Sequence, residues 1–222
     1  LADATISVDI EDAIDTNSAA DTITVNGGSI SAPARGIDGG SGPDVITINA
    51  GSVSGSAGIV GNSGNDIITI NGGSVTATST AIDGGNSDDT ITINGGTISG
   101  DGRALRGGGG NDTVILAGDS TITGLIQADS VVEDAGTNDI LRFAMAVPAA
   151  DLAALQATLL AAVHAGGSIT INGYTYSWAN FEAIEDNLTV LSADTDGDAV
   201  DDADDNCPSV PNNDQLNTDG AN

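Results

Sequence analysis

Apolar residues in this chain fall in short alternating pairs, and the pairs return at fixed intervals. Behind Asp21, Asp44, Asp66, Asp89 and Asp112 come Ile23 and Val25, Ile46 and Ile48, Ile68 and Ile70, Ile91 and Ile93, then Val114 and Leu116. Alternation with a period of two marks a strand with one buried face. The leading aspartates are 23, 22, 23 and 23 residues apart, so these strands belong to tandem copies of one unit. Two more apolar columns sit at equivalent places in each copy: Ile30, Val53, Val75, Ile98 and Ile122, then Ile14, Ile37, Ile59, Ile82 and Leu105. Three strands and three turns per copy predict a three-sided coil.

Copies joined by short turns bring equivalent residues side by side only if each copy is one rung and the strands stack in parallel, about 4.8 Å apart. The handedness of parallel crossovers predicts a right-handed path. Aromatic residues make up 2% of the chain, which suits a narrow interior filled by stacked aliphatic side chains. The expected fold is therefore all-β: a three-sided, right-handed parallel β-helix with coils of about 23 residues over 1–192. Residues 4–21 read as the second and third walls of an earlier coil, so the lower end of the stack is expected to be an open edge. After Gly124 the coils become less regular. Leu152, Leu155, Leu159 and Val163 keep helical spacing between Pro148 and Gly166, predicting a helical insertion over 148–166 that covers a flank or an end. Strand pattern resumes with SITINGYTYSW.

Charge narrows the partners. The chain carries 32 acidic residues against four arginines, for a net charge of −28, which disfavours nucleic acid and anionic membranes. No apolar run is long enough to insert into a bilayer as a helix. Nearly all the acids are Asp, the residue whose short carboxylate folds onto turns or reaches a cation. Calcium is the expected cofactor.

Two sets of aspartates could hold it. The turns before the first-wall strands read GGSGPDVI (39–46), GNSGNDII (61–68), GGNSDDTI (84–91) and GGGGNDTV (107–114). They resemble the GGxGxDxUx calcium nonapeptide of RTX proteins, and the resemblance implies Asp44, Asp66, Asp89 and Asp112 as ligands. In RTX proteins the nonapeptides line both edges of the coil, whereas here there is one per coil. Stacked at the rung spacing, these carboxylates would repel by roughly 0.9 kcal/mol per neighbour even at the dielectric of water, which is a second argument for a cation. The competing reading has each carboxylate accept turn N–H groups; both stay open at this point.

The second set lies in DTDGDAVDDADDNCPSVPNNDQLNTDG, residues 194–220. Asp194, Asp196 and Asp198 fall at loop positions 1, 3 and 5, Val200 offers its carbonyl at 7, and Asp202 and Asp205 stand at 9 and 12. The segment is similar to thrombospondin type-3 repeats, implying a calcium-binding segment over 193–222, which reads as cut short within a second loop. The family also implies that Cys207 pairs with a cysteine of a later repeat.

Other columns carry less chemistry. Asn26, Asn49, Asn71 and Asn94 suit an amide ladder along the axis. Thr22, Thr24, Thr47, Thr69, Thr90 and Thr92 face outward in an array that resembles ice-binding solenoids, interrupted by Val45, Ile67 and Ile115. SWANFEAIEDNLTVL resembles passenger domains of bacterial autotransporters and large adhesins, with Trp178 and Phe181 as cap-packing residues. An enzyme is not expected. Arg103 and Arg106 would be poor bases for lyase chemistry, and the single histidine, His164, reads as a helix cap.

The sequence thus predicts an extracellular, calcium-binding structural or adhesive module of a bacterial cell-surface protein. Its expected partners are a host, matrix or glycan surface, or other copies through the ends of the stack. A head-to-tail filament subunit is the main alternative; a polysaccharide lyase or hydrolase and an ice-binding protein stand behind it.

Overall fold

The computed structural model describes residues 5–7, 12–128, 138–161 and 166–190. They form a parallel β-solenoid in which successive copies of the unit are successive rungs. The first wall is a sheet of seven strands: Thr22–Val25, Val45–Ile48, Ile67–Ile70, Thr90–Ile93, Thr113–Leu116, Ile140–Phe143 and Ala183–Asp186. Equivalent residues pair without slippage, so that Ile23 meets Ile46, Ile46 meets Ile68, Ile68 meets Ile91 and Ile91 meets Val114. The columns inferred from the apolar pattern are therefore physical stacks.

The second wall holds Thr5–Ser7, Ser29–Ser31, Ser52–Gly55 and Ser74–Ala77, and the third holds Asp12–Asp15, Arg35–Asp38, Ala57–Ser63 and Thr80–Asn86. The two walls merge into one twelve-stranded sheet because Gly96–Gly109 runs through the corner between them as a single strand, followed by Ser120–Gln127 on the next rung. Three separate walls were expected from the pattern. Glycines at the corner allow the bend: a Cβ on Gly100 would collide with the Arg103 carbonyl, and Gly124 has φ of 119°.

The interior is the three aliphatic columns. Ile37, Ile46, Ile48, Val53, Ile59, Ile68, Ile70, Val75, Ile82, Ile93, Ile98, Leu105 and Val114 are all fully excluded from solvent. Burying each such side chain stabilises the fold by about 1.5–3 kcal/mol.

At the far end the filling changes. Phe143, Tyr176, Trp178 and Phe181 are buried there, and Phe143 makes edge-on contacts with Tyr176 and Trp178 at centroid distances of 6.0 and 5.7 Å. A helix, α1 (Ala149–Ala161), occupies the described part of the predicted insertion and buries Leu159, with Leu152 and Leu155 partly covered against the core. Beyond it, Gly167–Ile171 and Tyr174–Ala179 form an antiparallel hairpin around Asn172 and Gly173, whose φ values are 51° and 84°. An Asn-Gly pair adopting positive φ at both positions makes the tight turn that fits the twist of two antiparallel strands. The hairpin's second strand rejoins the stack, with Trp178 beside Ile126. Residues 194–205, Cys207 and His164 lie outside the described residues.

Candidate functional site: an inward column of aspartates

The repeated aspartates stand two residues before an inward isoleucine, and the structure turns them inward as well. Asp44, Asp66, Asp89 and Asp112 are at most 2% exposed. Each places Oδ1 under the backbone N–H of its counterpart one rung away. Asp21 donates to Asp44, Asp44 to Asp66, Asp66 to Asp89 and Asp89 to Asp112, all at 2.8 Å. Their own carbonyls accept from the following rung, as in Val45 N to Asp21 O and Ile67 N to Asp44 O, both 2.8 Å. Backbone and side chain together fasten every rung to the next at this corner.

The column runs further than the repeat pattern indicated. Asp112 donates its N–H to Asp139 Oδ1 at 2.6 Å, and Asp139 donates to Glu182 Oε2 at 2.8 Å. The sequence separations there are 27 and 43 residues instead of 23, because the coil is interrupted by insertions that include α1 and the hairpin. Asp139 and Glu182 escape a search for a fixed period. Their signal is an acid two residues before an inward apolar residue, in Asp139–Leu141 and Glu182–Ile184, the same relation as Asp66–Ile68.

This packing accounts for the glycines of the GGxGxD phrase. The first glycine, at 39, 61, 84 and 107, lies against the carboxylate: a Cβ would stand 2.8 Å from Asp44 Oδ2 at Gly39 and 2.5 Å from Asp89 Oδ2 at Gly84. The second and fourth positions have positive φ, with Gly40 at 88°, Asn62 at 74°, Gly85 at 120° and Gly108 at 124°, then Gly42 at 117°, Gly64 at 124°, Ser87 at 85° and Gly110 at 129°. The two positions that lack glycine in the sequence are thus the two where a side chain tolerates strained backbone. Asn does so at little cost, Ser at more.

The second oxygen of these carboxylates is less well served. Oδ2 of Asp44, Asp66 and Asp89 is buried without a hydrogen-bond partner, and the glycine face it abuts also holds carbonyls of the next rung, Gly61 O beside Gly39 and Gly107 O beside Gly84. An ionised oxygen among acceptors is costly, whereas a proton on Oδ2 removes the cost. Burial raises the pKa of Asp44. It lifts Asp66 to about 6 and Asp89 to about 8, against the relief given by the backbone N–H and helped by repulsion from neighbouring carboxylates. Near pH 7 the column therefore holds a protonated acid at Asp89, with Asp66 ionising just below that pH.

Calcium takes six to eight oxygens at about 2.3–2.6 Å in a roomy shell. Asp44, Asp66 and Asp89 each keep one oxygen without a hydrogen bond beside glycine backbone, and no three His, Cys, Asp or Glu side chains converge on a metal-sized site among the described residues. Oδ1 of Asp44, Asp66, Asp89 and Asp112 is thus engaged by a backbone N–H, and any cation would have to draw on Oδ2 and the neighbouring glycine carbonyls.

Outside, Asn49 donates to Asn26 at 2.6 Å, Asn71 to Asn49 at 2.7 Å and Asn94 to Asn71 at 2.7 Å. The predicted amide ladder is therefore continuous over four rungs, and Ala117 ends it. On the third wall Arg106 pairs with Asp83 at 3.2 Å and Arg103 binds Gln127 through Nε. Val45 and Ile67 interrupt the outward threonines, at 36% and 47% exposure. Comparison with known proteins finds no matching family, no matching curated protein and no matching solved structure.

Proposed function

We propose that the chain is a structural module, a stiff rod that holds other parts of a bacterial cell-surface protein away from the cell. One observation carries this reading. Side-chain columns run parallel to the axis on the inner and outer surfaces of the first wall, the aspartates from Asp21 to Glu182 within and the asparagines from Asn26 to Asn94 without. Bending the stack strains several hydrogen bonds per rung at once, so the columns add axial stiffness to the backbone ladder.

Calcium enters this reading through the acidic segment. Asp194, Asp196, Asp198, Val200, Asp202 and Asp205 have the residue types and spacing of a calcium loop. An ion there would bridge those carboxylates outside the cell, where free calcium is plentiful, and neutralise part of a heavily acidic chain. Adhesion is a natural use of such a rod.

Equilibrium dialysis with metal analysis on the full chain tests the calcium part. Retained calcium that disappears in an Asp196→Asn, Asp198→Asn double variant is expected, together with a chelator-sensitive protease pattern confined to the acidic segment. No retained calcium, or retention unchanged by the double variant, overturns it. Electron microscopy tests the rod: isolated short rods are expected, and long fibres would favour the filament alternative.

A further inference from the structure

The third wall carries a hollow that neither the rod nor the calcium segment explains. At one rung its outward residues are short, Ala57 and Val60, while their register partners on the rung before are Arg35 and Asp38, and Val60 is followed by Asp83 and then Arg106. Long side chains on either side of a short pair leave a depression of about 610 Å³, with Ser56, Asn62, Ser79, Thr80 and Asn86 on its walls. A second hollow of about 460 Å³ shares Arg35, Ser56 and Ala57 and extends the depression toward Asp12. Together they make a groove along the rod axis.

The charges that line this groove balance, Arg35 and Arg106 against Asp12 and Asp83, with buried Asp38 behind Arg35. Arg35 is held by Asp38 at 2.6 Å and by Asp12 at 3.6 Å, and Arg106 by Asp83 at 3.2 Å. Asp38 is committed further, accepting from Gly40 N–H at 3.0 Å and from the Asn62 amide. These ties pin the guanidinium groups in place, and the Arg35 side chain still exposes 42% of its surface. Three of the chain's four arginines, Arg35, Arg103 and Arg106, lie on this one wall.

Such a lining has donors from arginine and asparagine, acceptors from aspartate and asparagine, hydroxyls that serve as either, and an apolar floor of Ala57 and Val60. A cation would meet two fixed guanidinium groups, and an anion would meet Asp12 and Asp83 on a chain of net charge −28. A ligand rich in hydroxyls, each donor and acceptor, with an apolar C–H face, meets neither penalty. We propose that this groove binds a neutral glycan, with the sugar chain lying along the rod axis across the Ala57 rung. The assignment is independent of calcium binding, since every lining residue lies between Asp12 and Arg106.

Amide NMR on the full chain, titrated with mannohexaose, cellohexaose and maltohexaose and in parallel with oligogalacturonate, tests the proposal. At least one neutral hexaose is expected to shift the amides of residues 56–62 and 79–86 saturably, with chelator present or absent. Asn86→Ala, an exposed position, is expected to weaken binding severalfold, and Ala57→Leu, which fills the floor, to abolish it while leaving the remaining spectrum in place. No saturable shifts with any neutral sugar, shifts confined to other surfaces, or binding of the uronate alone overturns the assignment. Calcium retention, measured separately, reports on the other reading.

Discussion

Replacing Asp89 by asparagine keeps the shape of the side chain and the Oδ1 acceptor for the Asp66 N–H, and removes the titrating proton. In the folded chain Asp89 holds its proton up to about pH 8, whereas an unfolded aspartate releases it near 3.8. A raised folded pKa contributes stability that is complete below the unfolded value and is lost as pH climbs toward the folded one. Between pH 4 and pH 7.5 the wild-type protein must take up a proton at Asp89 in order to fold, at a cost that grows with pH to about 5 kcal/mol. Asparagine carries no such cost. Asp89→Asn is therefore expected to exceed the wild type by no more than about 1 kcal/mol near pH 4.5 and by about 5 kcal/mol at pH 7.5, read from urea unfolding at each pH. Taking the difference between the two proteins cancels the general relief of acidic repulsion at low pH, which acts on both. A difference that stays flat with pH, or a variant that loses stability at pH 7.5, would refute the protonated state of Asp89.

Other substitutions probe the same corner. Gly84→Ala places a methyl 2.5 Å from Asp89 Oδ2 and from the Gly107 carbonyl, so a loss of about 2–4 kcal/mol is expected in thermal or urea unfolding. Gly102→Ala, whose nearest atom would be the Ser79 carbonyl at 3.6 Å, serves as its control and should change stability by no more than about 0.5 kcal/mol. Ser87→Gly relieves a φ of 85° and should raise stability by roughly 1 kcal/mol in the same measurement. Asn71→Ala removes its bonds to both Asn49 and Asn94 and should cost about 1–2 kcal/mol; a neutral result would show that the exposed ladder adds nothing beyond the backbone.

The columns of the solenoid were legible because identical rungs impose identical environments. A buried position in one copy is buried in all, so Ile37, Ile59, Ile82 and Leu105 announce themselves by recurrence. The asparagine ladder was legible for the same reason. The direction of the aspartates was also written in the chain, since Asp66, Ile68 and Ile70 have one parity and must share a face. Turn chemistry and the likeness to a calcium phrase pull the other way, whereas the inward direction follows from the space that Gly61 and Gly84 leave for a carboxyl group. Asp139 and Glu182 were hidden by insertions that break the period while conserving the register. The merging of two walls at Gly96–Gly109 depends on corner geometry that no apolar pattern encodes. The charge-balanced groove depends on which outward side chains are short at one rung, and outward positions vary freely from copy to copy.

Carbon-13 detection of the side-chain carboxyl groups, followed from pH 4 to pH 9 in the folded protein with and without calcium, addresses the inward column most directly. Asp89 is expected to show the shift of a neutral acid at pH 7 and to titrate near pH 8, Asp66 near pH 6, with neither curve moved by millimolar calcium. Carboxylates already ionised at pH 5, or resonances of Asp44, Asp66 and Asp89 that move on adding calcium, would contradict the account and return these residues to the role of metal ligands.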